Sequence, residues 1–159
     1  MAVTGTDPLD LLEIAVAVTR TAADLARRMR AEAVAQVATK SSDTDPVTAA
    51  DRAVEREIVA ALRRARPHDR ILGEEYGAAG AEEAGGVRWL LDPIDGTVNY
   101  LYNLPWYAVS LAAEVEGRVV AGVVRNAATG VEWTAAAGHG AHRGGVRLRG
   151  SSRQDLRHA

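Results

Sequence analysis

The spacing of apolar residues changes once along this chain, at Pro67, and that change limits the folds open to it. Before Pro67, apolar residues recur at threes and fours. Leu11, Leu12, Ala15, Val18, Ala22, Leu25, Ala26 and Met29 predict a helix over about Pro8 to Ala35. A polar break rich in Ser and Asp follows, from Lys40 to Pro46. A second helix is expected from near Thr48, where Thr48 and Asp51 fit a Thr-x-x-Asp capping pattern. Val54, Ile58, Ala61, Leu62 and Ala65 give it one apolar stripe, and Pro67 ends it.

Beyond Pro67 the apolar runs are short and lie beside glycine. Ile71-Leu72 and Val87 to Leu91 read as buried strands, with an Ala, Gly and Glu loop between them from Ala78 to Gly86. After Pro105 come hairpins: Tyr107 to Val115, a turn at Glu116-Gly117, Arg118 to Arg125, a turn near Thr129-Gly130, then Val131 to Ala137. Gly138 to Gly145 reads as a turn, and Val146 to Leu148 as a weaker strand. Short turns between successive strands imply antiparallel pairing. The expected class is α+β, two N-terminal helices packed on a mainly antiparallel sheet.

A length of 159 residues suits one domain, and 47% hydrophobic with 25% charged residues suits a packed core. The net charge of -2 gives no electrostatic reason to expect nucleic acid or an anionic membrane as partner. With no cysteine, disulfides and thiolate zinc sites are excluded, which fits a cytoplasmic protein. The start, Met1 to Asp10, lacks the early basic residues of a secretory signal.

The chemistry concentrates in Trp89-Leu-Leu-Asp-Pro-Ile-Asp-Gly-Thr-Val-Asn-Tyr100. An apolar strand delivers Asp92 to its end, and Pro93, lacking an amide hydrogen, should stop the ladder there. A turn can bring Asp95 to the same side. Gly96 lets backbone approach a ligand, and Gly96 with Thr97 can lead a short helix or turn whose amides face an anion. Two carboxylates beside such amides suit a hard cation that bridges to phosphate. Alone, Asp-x-x-Asp-Gly is more often an ordinary turn. Here Gly73-Glu74-Glu75, also after an apolar run, supplies a second acidic element, and Asp51 a third, although a carboxylate at a helix start has its own electrostatic reason to be there. The histidines at 68, 139, 142 and 158 lie outside these motifs and read as surface residues.

Lys40, Thr44 to Asp51, Gly73-Glu74-Glu75 and Asp92 to Tyr100 resemble, in this order, the inositol monophosphatase family. Pro105 to Leu111 and Gly138 to Arg153 are also similar to it. The resemblance implies the N-terminal half of a layered αβαβα sugar-phosphatase fold, and a Mg2+-dependent phosphomonoesterase. By that resemblance Glu74, Asp92 and the backbone carbonyl of Ile94 would hold one magnesium, and Asp92 with Asp95 a second. Glu74 and Thr97 would orient the attacking water, and the Gly96 and Thr97 amides would contact phosphate. Substrate contacts are thus expected from Glu74, Ile94, Asp95, Gly96 and Thr97. Asp51, counted with Glu74 and Thr97 among the catalytic residues, would hold water on a weaker third metal, and Lys40 lies near the site in relatives.

The family has a further α/β half with a Trp-Asp-x-Ala-type motif that is not found in this sequence. Residues 1–159 are therefore expected to be the N-terminal metal-binding domain, without the C-terminal α/β half and with apolar sheet surface left open. The expected substrate is a small phosphate monoester, inositol monophosphate first. Histidinol phosphate, fructose bisphosphate and phosphoadenosine phosphate are the alternatives, or a non-catalytic binding module. The complete protein is expected to be a homodimer, with neither nucleic acid nor membrane as partner.

Overall fold

The computed structural model describes residues 5–37, 46–74, 77–79, 86–152 and 155. Lys40, Thr44, Glu75 and His158 lie outside the described residues, as does most of the expected loop before Gly86.

Two helices come first, α1 (Pro8–Val37) and α2 (Pro46–Ala65). Both expected helices are present, but the start of α2 is a correction. The helix begins at Pro46, so Thr48 lies inside its first turn and is not the cap. Proline suits that place, because its fixed φ is already helical and its missing N–H would have no partner there. On α1 the buried apolar positions are Leu11, Ala15, Val18, Ala22, Ala23 and Ala26. Most are small, which lets the helix axis come close to the sheet. On α2 the buried apolar positions are Ala50, Val54, Ile58 and Leu62. Each fully buried Leu or Ile contributes roughly 1.5–3 kcal/mol relative to exposure.

The strands are β1 (Arg70–Gly73), β2 (Gly77–Ala79), β3 (Val87–Asp95), β4 (Ala108–Val115), β5 (Arg118–Asn126), β6 (Glu132–Ala136), β7 (Gly140–Arg143) and β8 (Val146–Arg147). A short helix, α3 (Thr97–Leu101), follows β3. Among the described residues they form one sheet in the order β2-β1-β3-β4-β5-β6-β7-β8. All neighbours are antiparallel except β1 and β3, which run parallel with Gly73 beside Leu91. The α+β class is as expected.

The segment 138–145 is not only a turn, since β7 pairs with both β6 and β8. Its glycines sit at the strand ends, where positive φ is needed, and Ala141, His142 and Arg143 between them are free to pair. Likewise Ala78 belongs to β2 and not to a loop. The turn at Glu116-Gly117 has φ of 51° and 75°, positive at both central residues as a type I′ hairpin requires.

One face of the sheet packs on the helices. Val87, Trp89 and Leu91 of β3, Val109, Leu111 and Ala113 of β4, and Ala121 and Val123 of β5 alternate onto that face and are buried. The other face carries Ser110, Ala112, Gly122, Val124, Ala135 and Ala141 around an open groove of about 790 Å³. Val124 there is 40% exposed, so this face presents apolar surface to solvent. Among the described residues no helix is long and apolar enough to cross a membrane.

Candidate metal and phosphate site

The parallel pair positions the site. Because β1 and β3 run in the same direction, the residues leaving their C-terminal ends emerge side by side. Gly73 pairs with Leu91, so Glu74 and Asp92 are neighbours. The two acidic motifs, far apart in local sequence pattern, meet through this pairing.

Asp92 does not end its strand. The ladder with β4 shifts register between Asp92 and Asp95 and then resumes, with Asp92 opposite Ser110 and Asp95 opposite Ala108. Pro93 falls inside this bulge. The expectation that Pro93 stops the ladder is therefore corrected: the bulge absorbs the residue that has no N–H, and pairing continues past it. The extra residue brings Asp92 and Asp95 onto the same open face of the sheet.

Electrostatics at this point are unfavourable for three anions. Burial, then the charges of Glu74 and Asp95 and a hydrogen bond with Glu74, push the Asp92 carboxyl up to about 6, while the Ile94 amide pulls it the other way. Asp92 Oδ1 is buried and makes no hydrogen bond. A buried acceptor with nothing to accept from, among like charges, is costly. A cation on that oxygen would remove both costs. The donors are all oxygen, which suits a hard ion such as magnesium. Among the described residues, no three acidic or imidazole side chains close around one point as a finished cage. Glu74 and Asp95 are themselves exposed.

Gly96 follows with φ of 87°, in the left-handed region, as the residue before α3. A Cβ there would lie 2.8 Å from the Trp106 carbonyl oxygen. That carbonyl accepts a 2.7 Å hydrogen bond from Asn99 Nδ2. The close neighbour of Gly96 is thus its own chain, which folds back and holds the 96–106 loop shut. Thr97 is exposed at the first position of α3. Ile94 is buried at 2% exposure, so only its backbone is placed to serve a ligand.

α3 is held by α1. Arg30 donates through Nε to the Tyr100 carbonyl and through Nη2 to the Leu101 carbonyl, satisfying carbonyls at the helix end. Tyr100 is buried, donates its hydroxyl to the Ala26 carbonyl at 3.2 Å, and meets Tyr107 edge-on with ring centroids 5.1 Å apart. Burial pushes the Tyr100 hydroxyl up to about 12, helped by Tyr107 and by the charge of Asp51 and opposed by Arg30. Asp51 is therefore close to α3, 6% exposed on the inner face of α2, and is more than a solvated helix start.

Two polar residues of the site region escaped sequence reasoning. Glu55 is 1% exposed, one turn beyond Asp51, and its carboxylate lies against Gly73. Its signal was the i+4 spacing from Asp51 at the margin of the apolar stripe. Asn126, 5% exposed, donates through Nδ2 to the Pro105 carbonyl at 2.9 Å and ties the site loop to β5. No local pattern announced that contact. His68 and His139 are exposed and His142 is partly exposed, away from the carboxylates.

Fold and site together define an α+β protein whose only parallel strand pair among the described residues gathers carboxylates at a strand bulge. The chain belongs to the inositol monophosphatase family, whose model matches residues 7–159. It is 50% identical over 109 residues to the inositol-1-monophosphatase SuhB of Mycobacterium tuberculosis, covering 67% of this chain and 38% of that protein. It is 40% identical over 148 residues to the Nus factor SuhB of Pseudomonas aeruginosa, covering 92% and 54%. Among solved structures, inositol monophosphatase-II from Staphylococcus aureus superposes with a TM-score of 0.81 at 27% identity, covering 94% of this chain and 53% of that one. The chain spans about half the length, or less, of these relatives.

Proposed function

We propose that this chain carries the metal-binding part of a magnesium-dependent phosphomonoesterase, with inositol monophosphate as the preferred substrate. The observation that carries this reading is Asp92: a buried oxygen without a hydrogen bond, crowded by two more carboxylates at a bulge. Family membership supports it.

In this reading Glu74, Asp92 and the Ile94 carbonyl would hold one magnesium, and Asp92 and Asp95 would contribute to a second. Bound magnesium would screen the charge of the phosphate dianion, acidify water and stabilise the leaving alkoxide. The residues of the chain do the rest. Glu74 and the Thr97 hydroxyl align the water whose oxygen attacks phosphorus. The Gly96 and Thr97 amides hold the phosphate oxygens, and Asp51 orders solvent at the inner edge. The ester P–O bond breaks, and the alcohol and inorganic phosphate leave.

The test is magnesium-dependent phosphate release from inositol 1-phosphate by the purified chain, with Asp95→Asn as control. Release that requires magnesium and is lost in the variant is expected. Magnesium-independent release, or release unchanged in the variant, would refute the assignment. A second reading, a non-catalytic partner of other proteins, draws on relatives that carry the name Nus factor SuhB. It predicts no phosphate release from a chain that still binds magnesium.

A further inference from the structure

Gly73 has no conformational reason to be glycine. Its φ is outside the left-handed region that favours this residue. The reason is space: a Cβ at this position would fall on the Glu55 carboxylate. Glu55 is 1% exposed and is not without a partner. A buried carboxylate does not swing aside as an exposed one does, because any other position would have to solvate its charge in a poorly hydrated place. Gly73 is the last residue of β1, is paired with Leu91, and immediately precedes Glu74, while Asp92 follows Leu91. Glu55 thus presses on the chain one residue before one acidic side chain and beside another.

We infer that Glu55 is a positioning residue for the candidate cation site: through contact with Gly73 it sets where Glu74 stands relative to Asp92, and so sets magnesium affinity. This inference rests on the reading of Glu74 and Asp92 as magnesium ligands. Glu55 is not a ligand in it. Its part is that of an outer partner that orients a ligand, and loss of such partners costs roughly 10–100-fold in metal affinity. The fit is one of size. Glu55 reaches into the room that the missing Cβ leaves, so a shorter acid opens a gap and a larger residue at 73 closes on it.

Magnesium titration into the 159-residue chain by calorimetry tests this, with far-UV circular dichroism and thermal melts confirming that each variant is folded. Glu55→Asp and Gly73→Ala should each weaken magnesium binding by roughly tenfold or more. The double variant should bind more tightly than Gly73→Ala alone, since the added methyl enters the room left by the shorter acid. A merely structural role would lower melting temperatures and leave affinity unchanged. Folded single variants that bind as tightly as the wild type overturn the inference, as does a double variant whose losses simply add. Should one single variant fail to fold, the other single variant decides by the same affinity criterion. Asp92→Asn separates the two levels. If the wild type binds magnesium and Asp92→Asn does not, the ligand reading stands and the Glu55 variants decide alone. If wild type and Asp92→Asn behave alike, the ligand reading falls and the inference falls with it.

Discussion

β1 and β3 carry a polar cluster at each end, and the two clusters are built on opposite principles. At the entry end, Arg66 and Asp69 form a bidentate pair at 2.6 and 3.0 Å, both under 9% exposed. The Trp89 indole N–H donates to the same carboxylate at 2.8 Å, and Arg66 reaches the Gly5 carbonyl at 2.8 Å. Arg63 donates to the Asp69 carbonyl at 2.7 Å. Charges there are opposite and their hydrogen bonds are made. At the exit end, Glu74, Asp92 and Asp95 bring three like charges together, and Asp92 Oδ1 has no partner. The same strands support one cluster that closes the fold and one that strains it. An unsatisfied oxygen crowded by like charges is one that a bound cation would stabilise.

The strongest way to separate the two ends is Asp92→Asn. Magnesium affinity, read by calorimetry, should fall by more than the roughly 10–100-fold that outer partners cost. In metal-free buffer the same variant should melt no lower than the wild type, because it removes one of three crowded charges. A clear loss of metal-free stability would place Asp92 with the structural cluster instead.

Asp69→Ala is the mirror test and should cost stability first. It leaves the Arg66 guanidinium buried without its carboxylate, a change that costs about 3–5 kcal/mol. At roughly 2–4 °C per kcal/mol for a chain of this size, a fall on the order of 10 °C in melting temperature follows. Magnesium affinity of the molecules that remain folded should be unchanged.

Trp89→Phe tests one bond of the same cluster. The ring is kept and the indole donor lost, while Arg66 still holds both Asp69 oxygens. A loss of about 1 kcal/mol in urea unfolding is expected. A loss as large as that of Asp69→Ala would mean that the tryptophan, and not the ion pair, closes this end.

The smallest effect should come from Glu132, on β6, which sits between Arg20 at 2.8 Å and Arg125 at 3.1 Å and belongs to neither cluster. Burial alone would raise its carboxyl, but the hydrogen bonds and charges of the two arginines outweigh it and hold it below the ordinary carboxylate range. A depressed folded value means that its stabilisation is present at neutral pH and is lost as pH falls through that value. Wild type and Glu132→Gln should therefore differ modestly in urea stability at pH 7 and converge in acid, since Arg20 is largely exposed and its pairing is weak. A gap that widened in acid would reverse the sign.

Local patterns in the sequence determined much of this protein. The spacing of Leu11, Ala15, Val18 and Ala22, and of Val54, Ile58 and Leu62, is enough for two helices. The alternation from Tyr107 to Ala137, with Glu116-Gly117 and Thr129-Gly130 as turns, is enough for the hairpins. In each case the partners lie within a turn or two of one another, so the pattern contains both sides of the contact. Asp92, Asp95 and Glu74 were visible as chemistry for the same reason, as short motifs at the ends of apolar runs. Tertiary structure alone decided how they meet. The parallel pairing that sets Gly73 beside Leu91 joins segments whose spacing records nothing of each other. The bulge at Pro93 exists because β4 continues alongside, and Glu55 is buried because β1 ends against α2. These contacts depend on long-range closure of the chain, and periodicity carries no signal for a partner that is distant in sequence.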